Sequence, residues 1–238
     1  MTEHEQCIGI LRMKNESPIE LDPSKTALIV VDMQRYFTQS SFPFTDVFEK
    51  IAPGVCSGYL RRVSEIVIPN IQRLLAHFRE RGSSIVYTAI GSAGNDGDDL
   101  PFWLRSFDDV GVGILGSRIW PLIGDPSWEI DGALKPRPDE IVLNKLSAGA
   151  FATTDLEHRL RNHDVEYVVV TGVATDVCVS TTAREAADRN FKVVVVGDAC
   201  TTFSEDLHQA NIETLQSFGW IRSTETVVGI TRKIQAAV

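Results

Sequence analysis

The chain has 238 residues, 43% hydrophobic and 23% charged, a balance that suits one globular domain large enough to fold without disulfide or metal staples. It carries 32 acids against 23 Lys and Arg, a net charge of −9. That excludes a basic nucleic-acid surface and a polybasic face for an anionic membrane, both of which need clustered Lys and Arg. The four cysteines, Cys7, Cys56, Cys178 and Cys200, form no CxxC pair, so zinc-ribbon and thioredoxin readings fail and free thiols in a reducing cytoplasm are expected. The first twenty residues hold no apolar signal-peptide core, and no apolar run is long enough to span a bilayer.

Residues 1–24 read as an arm with a weak strand near 8–13. Thr26-Ala-Leu-Ile-Val-Val-Asp32 is a continuous apolar run ending in an acid, the pattern of a parallel strand buried on both faces. Over 64–81, apolar residues recur at helical spacing (Ile66, Ile68, Ile71, Leu74, Leu75, Phe78), an amphipathic helix that Gly82 ends. A strand follows at 84–88. Residues 91–138 are rich in Gly, Pro, Asp and Trp without a clean period, and a long insert of that kind is often functional. Then come a strand at 140–144, a helix at 154–162, a strand at 167–170, a helix at 176–189 with Thr175 as its N-cap, a strand at 192–196, a helix at 207–218, a short strand at 220–222 and a final helix at 225–237. Strands alternating with helices predict a mostly parallel sheet covered on both faces, in one domain over 1–238.

Ligands of open α/β sheets bind beyond the carboxyl ends of the strands. Three chemically complementary residues fall at such ends: Asp32, Lys145 in Val142-Leu-Asn-Lys145, and Cys178 in Gly172-Val-Ala-Thr-Asp-Val-Cys178. An ammonium stabilises carboxylate and thiolate alike, a carboxylate can shuttle a proton, and a thiol in a first helical turn is eased toward the thiolate nucleophile. Each has a plainer reading: Asp32 as a turn cap, Lys145 as a solvated lysine, Cys178 as a small buried hydrophobe. Their joint placement on one edge favours catalysis.

The segments Thr26 to Gln34, Leu143-Asn-Lys145 with Ala150-Phe151 and Thr154-Asp155-Leu156, and Gly172 to Ala186, in this order and spacing, resemble the isochorismatase-like hydrolases in their cysteine hydrolase branch. The resemblance covers about residues 24–230. It implies a three-layer α/β/α, Rossmann-like fold with a six-stranded parallel sheet. It also implies a catalytic triad of Asp32, Lys145 and Cys178, a cis peptide at Val173–Ala174, and an oxyanion hole from the N–H groups of Ala174 and Cys178. Isochorismatases proper lack the cysteine, which argues against vinyl-ether hydrolysis. Nicotinamidases carry an Asp and several His soon after the second strand. Here that stretch has no histidine, and His4, His77, His158, His163 and His208 show no ligand pairing, so no metal and no cofactor are expected. The layout is similar to the amidases of urea-like groups: biuret, ureidoacrylate and N-carbamoyl amino acids.

The implied enzyme is a metal-independent cysteine amidohydrolase that cleaves a linear amide or carbamoyl C–N bond of a small molecule, as a homo-oligomer, dimer or tetramer. Nicotinamidase-like chemistry and a non-catalytic ligand-binding member of the fold are the alternatives. Gln34, Phe37, Trp103, Phe151 and Thr175 are the candidate substrate contacts, though Gln34 could instead simply hold its turn, and Trp103, Phe107 and Trp120 could either wall a pocket or pack the insert. The Gly91 to Gly97 stretch lacks a phosphate-loop pattern and reads as a loop, and Cys200 reads as a buried thiol.

Overall fold

The computed structural model describes residues 3–231. In chain order the elements are α1 (Glu3–Asn15), β1 (Thr26–Val31), α2 (Arg35–Thr38), α3 (Pro43–Ile51), α4 (Val55–Arg62), α5 (Ile68–Glu80), β2 (Ser84–Ile90), α6 (Phe102–Leu115), β3 (Ile141–Lys145), α7 (Leu156–Asn162), β4 (Tyr167–Val173), α8 (Ser180–Asp188), β5 (Lys192–Thr201), α9 (Glu205–Leu215), β6 (Trp220–Arg222) and α10 (Thr224–Ile230). All six strands pair in parallel in the order β3-β2-β1-β4-β5-β6. The order reverses between β1 and β4, where doubly wound sheets open a crevice at their carboxyl edge.

The sheet is buried on both sides because its strands are apolar on both sides. In β1, Leu28 and Val30 join one cluster with Ile71, Leu74 and Phe78 of α5 and Val227 of α10. Ala27, Ile29 and Val31 join the other, with Leu156 and Leu160 of α7, Ala183 and Ala186 of α8, and Leu215 of α9. The period of two along the strand thus sorts the helices into two outer layers, giving the three-layer α/β/α arrangement. At Gly172 the chain bends with φ +110°, and a Cβ there would lie 2.1 Å from the Val31 carbonyl oxygen. Only glycine lets β4 approach β1 this closely.

Two expectations change. Residues 8–13 are not a strand but part of helix α1. Across the whole of α1 Glu, Gln, Leu, Arg, Met and Lys predominate, and their helix propensity outweighs the two Ile residues. The arm is tied to the edge of the sheet: Asn15 Oδ1 accepts from the Ile221 N–H at 2.6 Å, and Ser17 O accepts from Trp220 Nε1 at 3.1 Å. The insert at 91–138 is not structureless, because it carries α6. The last expected helix, 225–237, is α10 as far as Ile230, and the remainder beyond 231 lies outside the described residues. The helix expected over 64–81 is α5, joined to α4 through the wide turn Val63–Val67.

Candidate active site

Asp32, Lys145 and Cys178 converge at the carboxyl edge of β1, β3 and β4. Asp32 follows β1 in a left-handed conformation, φ +50°, which Asp tolerates better than most residues. Its N–H donates to Thr88 O on β2 at 3.1 Å, and its Oδ1 accepts from Thr88 Oγ1 at 2.7 Å. The other carboxylate oxygen, Oδ2, lies 2.8 Å from Lys145 Nζ. Both side chains are essentially inaccessible, at 1% and 0% exposed. Lys145 ends β3; its ammonium donates to Ser147 O at 2.8 Å and Cys178 Sγ at 3.4 Å and is ion-paired with Asp32. A buried lysine is tolerable only with such partners. Burial opposes its charge, but Asp32 and then Cys178 outweigh burial and hold its pKa above the usual lysine value.

Cys178 lies in the turn Thr175–Val179, which is wider than an α-turn: the N–H groups of Val179 and Ser180 reach back five residues, to Ala174 O and Thr175 O. Such widened turns recur at functional sites. The preceding Val173–Ala174 peptide is cis. Burial raises the Cys178 thiol to about 12; Lys145 pulls it down and Asp32 pushes it up. This direction runs against the easier ionisation expected from the first turn of a helix. Placement in the first turn of a helix does not compensate for an apolar pocket beside a carboxylate. Burial therefore favours the protonated thiol.

A cavity of about 190 Å³ opens onto Cys178. Ala174, Asp176 and Val177 border it on the Cys178 side, and aromatic rings form most of the rest: Phe37, Phe44 and Phe48 from the segment after β1, Tyr59 from α4, Trp103 and Phe107 from α6, with Trp120 and Phe203. The rings contact one another, Tyr59 stacking on Phe203 at 4.5 Å and Phe203 on Phe48 at 4.9 Å. Among the described residues no three His, Cys, Asp or Glu side chains are grouped so as to hold a metal ion.

Residues 26–226 match the family model described as the isochorismatase domain. The chain belongs to the isochorismatase family. The ureidoacrylate amidohydrolase RutB of Methylobacterium radiotolerans is 31% identical to this isochorismatase-like chain, over 96% of it and 89% of the relative. The enzyme of that name from Serratia proteamaculans is 29% identical over 87% and 83%. Among solved structures, a cysteine hydrolase from Pseudomonas syringae pv. phaseolicola 1448A superposes with a TM-score of 0.72 at 27% identity, covering 90% of this chain and 97% of that one. The protein is an isochorismatase-like hydrolase, and the two curated relatives named here are amidohydrolases.

Within this isochorismatase-like site, the expected substrate contacts divide. Phe37 and Trp103 line the cavity. Gln34 does not: it is fully buried, its Nε2 donating to Ile90 O and Trp128 O at 3.0 Å each and its Oε1 accepting from the Ile90 N–H at 2.8 Å. With both amide ends engaged by backbone groups and no exposed surface, it holds the turn. Phe151 packs in the opposite layer against Phe191. Thr175 is neither a ligand nor the N-cap. Ala174 occupies the cap position, and Thr175 Oγ1 sits buried 2.8 Å from His208 Nδ1. Thr88 and Ser147, which orient Asp32 and Lys145, escaped the sequence reading. A threonine inside the apolar run of β2 was the available signal for the first.

Proposed function

We propose that the protein is a metal-independent cysteine amidohydrolase acting on a linear amide or carbamoyl C–N bond of a small molecule. The observation that carries this reading is the Lys145 ammonium held between Asp32 Oδ2 at 2.8 Å and Cys178 Sγ at 3.4 Å. Asp32 takes the Cys178 proton as sulfur bonds to the carbonyl carbon. The developing oxyanion is met by the N–H groups of Ala174 and Cys178. Collapse breaks the C–N bond, and Asp32 returns its proton to the departing ammonia or amine. Water, deprotonated by the same carboxylate, then cleaves the thioester-type intermediate and frees the thiol. Lys145 stabilises Asp32 and the transient thiolate throughout. The relatives' amidohydrolase names and the free cavity above Cys178 support this chemistry. The reading also takes the enzyme to be a cytoplasmic homo-oligomer.

Ammonia release is the direct test, run on small amides and ureas with wild type, Cys178→Ala and added chelator. Release that needs Cys178 and ignores the chelator, with an acyl adduct on Cys178 in rapid-quench mass spectra, is the expected result. Substantial turnover by Cys178→Ala would rule out the covalent route.

A further inference from the structure

For the chemistry above, the turn Thr175–Val179 has to hold the Cys178 sulfur beside Lys145 Nζ, 3.4 Å away. Its main-chain bonds close the turn on itself. The N–H groups of Val177 and Val179 donate to Ala174 O at 3.1 Å each, and that of Ser180 donates to Thr175 O. Such bonds set the shape of the turn but not its place relative to Lys145, which comes from another strand. Placement needs a contact with a separate element. Thr175 supplies one: its hydroxyl is fully buried, and Oγ1 lies 2.8 Å from Nδ1 of His208 on α9.

His208 is a firm support because α9 is held at both ends. At its start, Ser204 Oγ accepts from the Leu207 N–H and Ser204 O from the His208 N–H at 3.0 Å. At its end, the buried Leu215 packs into the cluster that contains Val170 and Cys178. The imidazole is kept neutral chiefly by burial, which lowers its pKa; Glu205 and Asp176 oppose that and Arg62 reinforces it. A neutral ring still has one donor and one acceptor nitrogen, so it can bond the hydroxyl without bringing a second cation toward Cys178. Neither Thr175 nor His208 lines the aromatic cavity. His208 instead borders a separate cavity of about 280 Å³ with Arg62, Asp198 and Glu205.

Resting on the amidohydrolase reading above, we propose that His208 is a positioning residue, which through Thr175 Oγ1 fixes the nucleophile turn so that Cys178 keeps its place beside Lys145. The bond acts on the rate after binding and not on binding itself, because the cavity wall is built without it. Small errors of placement are costly in such a step: a shift of about 1 Å can lose roughly 100-fold.

Ammonia release from ureidoacrylate, biuret and nicotinamide is measured first, and the best of the three is taken through full kinetics. His208→Ala and Thr175→Val should each lower kcat at least about tenfold, with KM nearly unchanged. The double variant should be no worse than the poorer single one, since both remove the same bond. His208→Asn, short enough to put an amide group near the Nδ1 position, and Thr175→Ser, which keeps the hydroxyl, should recover most of the lost rate. A merely structural histidine would not give that recovery. If His208→Ala does not fold, the Thr175→Val and Thr175→Ser pair decides alone. Cys178-dependent turnover with kcat unmoved by these substitutions overturns the positioning role and leaves the amidohydrolase reading intact. Effects that multiply in the double variant, or a raised KM with kcat unchanged, also overturn it. No ammonia from any of the three compounds, or turnover that survives Cys178→Ala, overturns the amidohydrolase reading itself, and the positioning role falls with it.

Discussion

Lys145 has two roles that one substitution separates. Its ammonium neutralises Asp32 in a place water does not reach, and it is the group that lowers the Cys178 pKa against burial. Lys145→Met keeps the length and removes the charge, leaving Asp32 Oδ2 buried with no counter-ion. Losing one partner of a buried pair costs about 3–5 kcal/mol, so urea unfolding should show a loss of that size. kcat/KM should fall at least ~1,000-fold, because proton transfer by a positioned group and stabilisation of a buried anion each contribute about 100-fold or more. Thiol alkylation supplies an independent readout. In wild type, Cys178 should react slowly with iodoacetamide at neutral pH and faster with each added pH unit, since only the thiolate reacts. In Lys145→Met the whole profile should move to higher pH. A variant that alkylates like wild type would mean that the ammonium does not act on the thiol.

At the scale of elements, what the sequence reveals depends on whether neighbours in space are also neighbours in the chain. The strands are legible because a strand buried on both faces is a contiguous apolar run, as in β1. The proposed triad is legible because Lys145 ends β3, Asp32 follows β1 and Cys178 lies in the turn after β4. Helix α6 is not. Its buried positions are Leu104, Asp108 and Gly111, while Phe102, Trp103, Phe107, Val110 and Val112 face outward or into the cavity mouth, so polarity runs opposite to the usual amphipathic pattern. The reason lies in Asp108. Its Oδ1 accepts from the N–H groups of Ile119 and Trp120 at 2.8 and 3.0 Å, and its Oδ2 accepts from Arg118 Nε at 2.7 Å. One buried acid thus folds the loop back and sets Trp120 in the cavity wall. Gly111 leaves the room: a Cβ there would meet Ile119 Cγ1 at 2.4 Å. Asp108→Ala would strand two buried N–H groups at about 1–3 kcal/mol each. A lower melting temperature and a raised KM with kcat nearly unchanged are expected, with partial rescue by Asp108→Asn, whose amide oxygen still accepts. A fall in kcat alone would show that α6 acts on the triad rather than on the wall. Thr175 and Gln34 are hard to assign from sequence for the same reason as α6: the partners that occupy them, His208 and the carbonyl oxygens of Ile90 and Trp128, lie far along the chain, and for Gln34 they select the turn-holding reading over substrate contact.

Across the whole molecule, the burial that hides the site also sets how stability responds to pH. Burial pushes the Cys178 and Cys200 thiols well above the usual cysteine value and does the same to the Tyr36, Tyr59 and Tyr87 phenols. In the unfolded chain these groups ionise near their ordinary values, about 8.5 for Cys and 10 for Tyr. Between those values and the raised ones, the folded protein keeps protons that the unfolded chain has lost. The unfolded state then binds fewer protons, so unfolding free energy falls as pH rises. Each buried thiol contributes a slope of up to about 1.4 kcal/mol per pH unit once its unfolded form has ionised. Urea unfolding at pH 8, 9 and 10 should therefore show progressive destabilisation, beginning near pH 8.5 and steepening as the tyrosines join. Cys200→Ala isolates one contribution, because that thiol is buried with its sulfur 3.9 Å from the Val170 carbonyl oxygen and takes no part in the proposed chemistry. Its slope between pH 9 and 10 should be shallower than wild type by up to the same 1.4 kcal/mol per unit. A wild-type stability that stays level from pH 8 to 10 would mean that the thiols ionise as readily inside the fold as outside it. The burial-raised thiol of Cys178, and with it the need for Asp32 as a base in the proposed chemistry, would then fall.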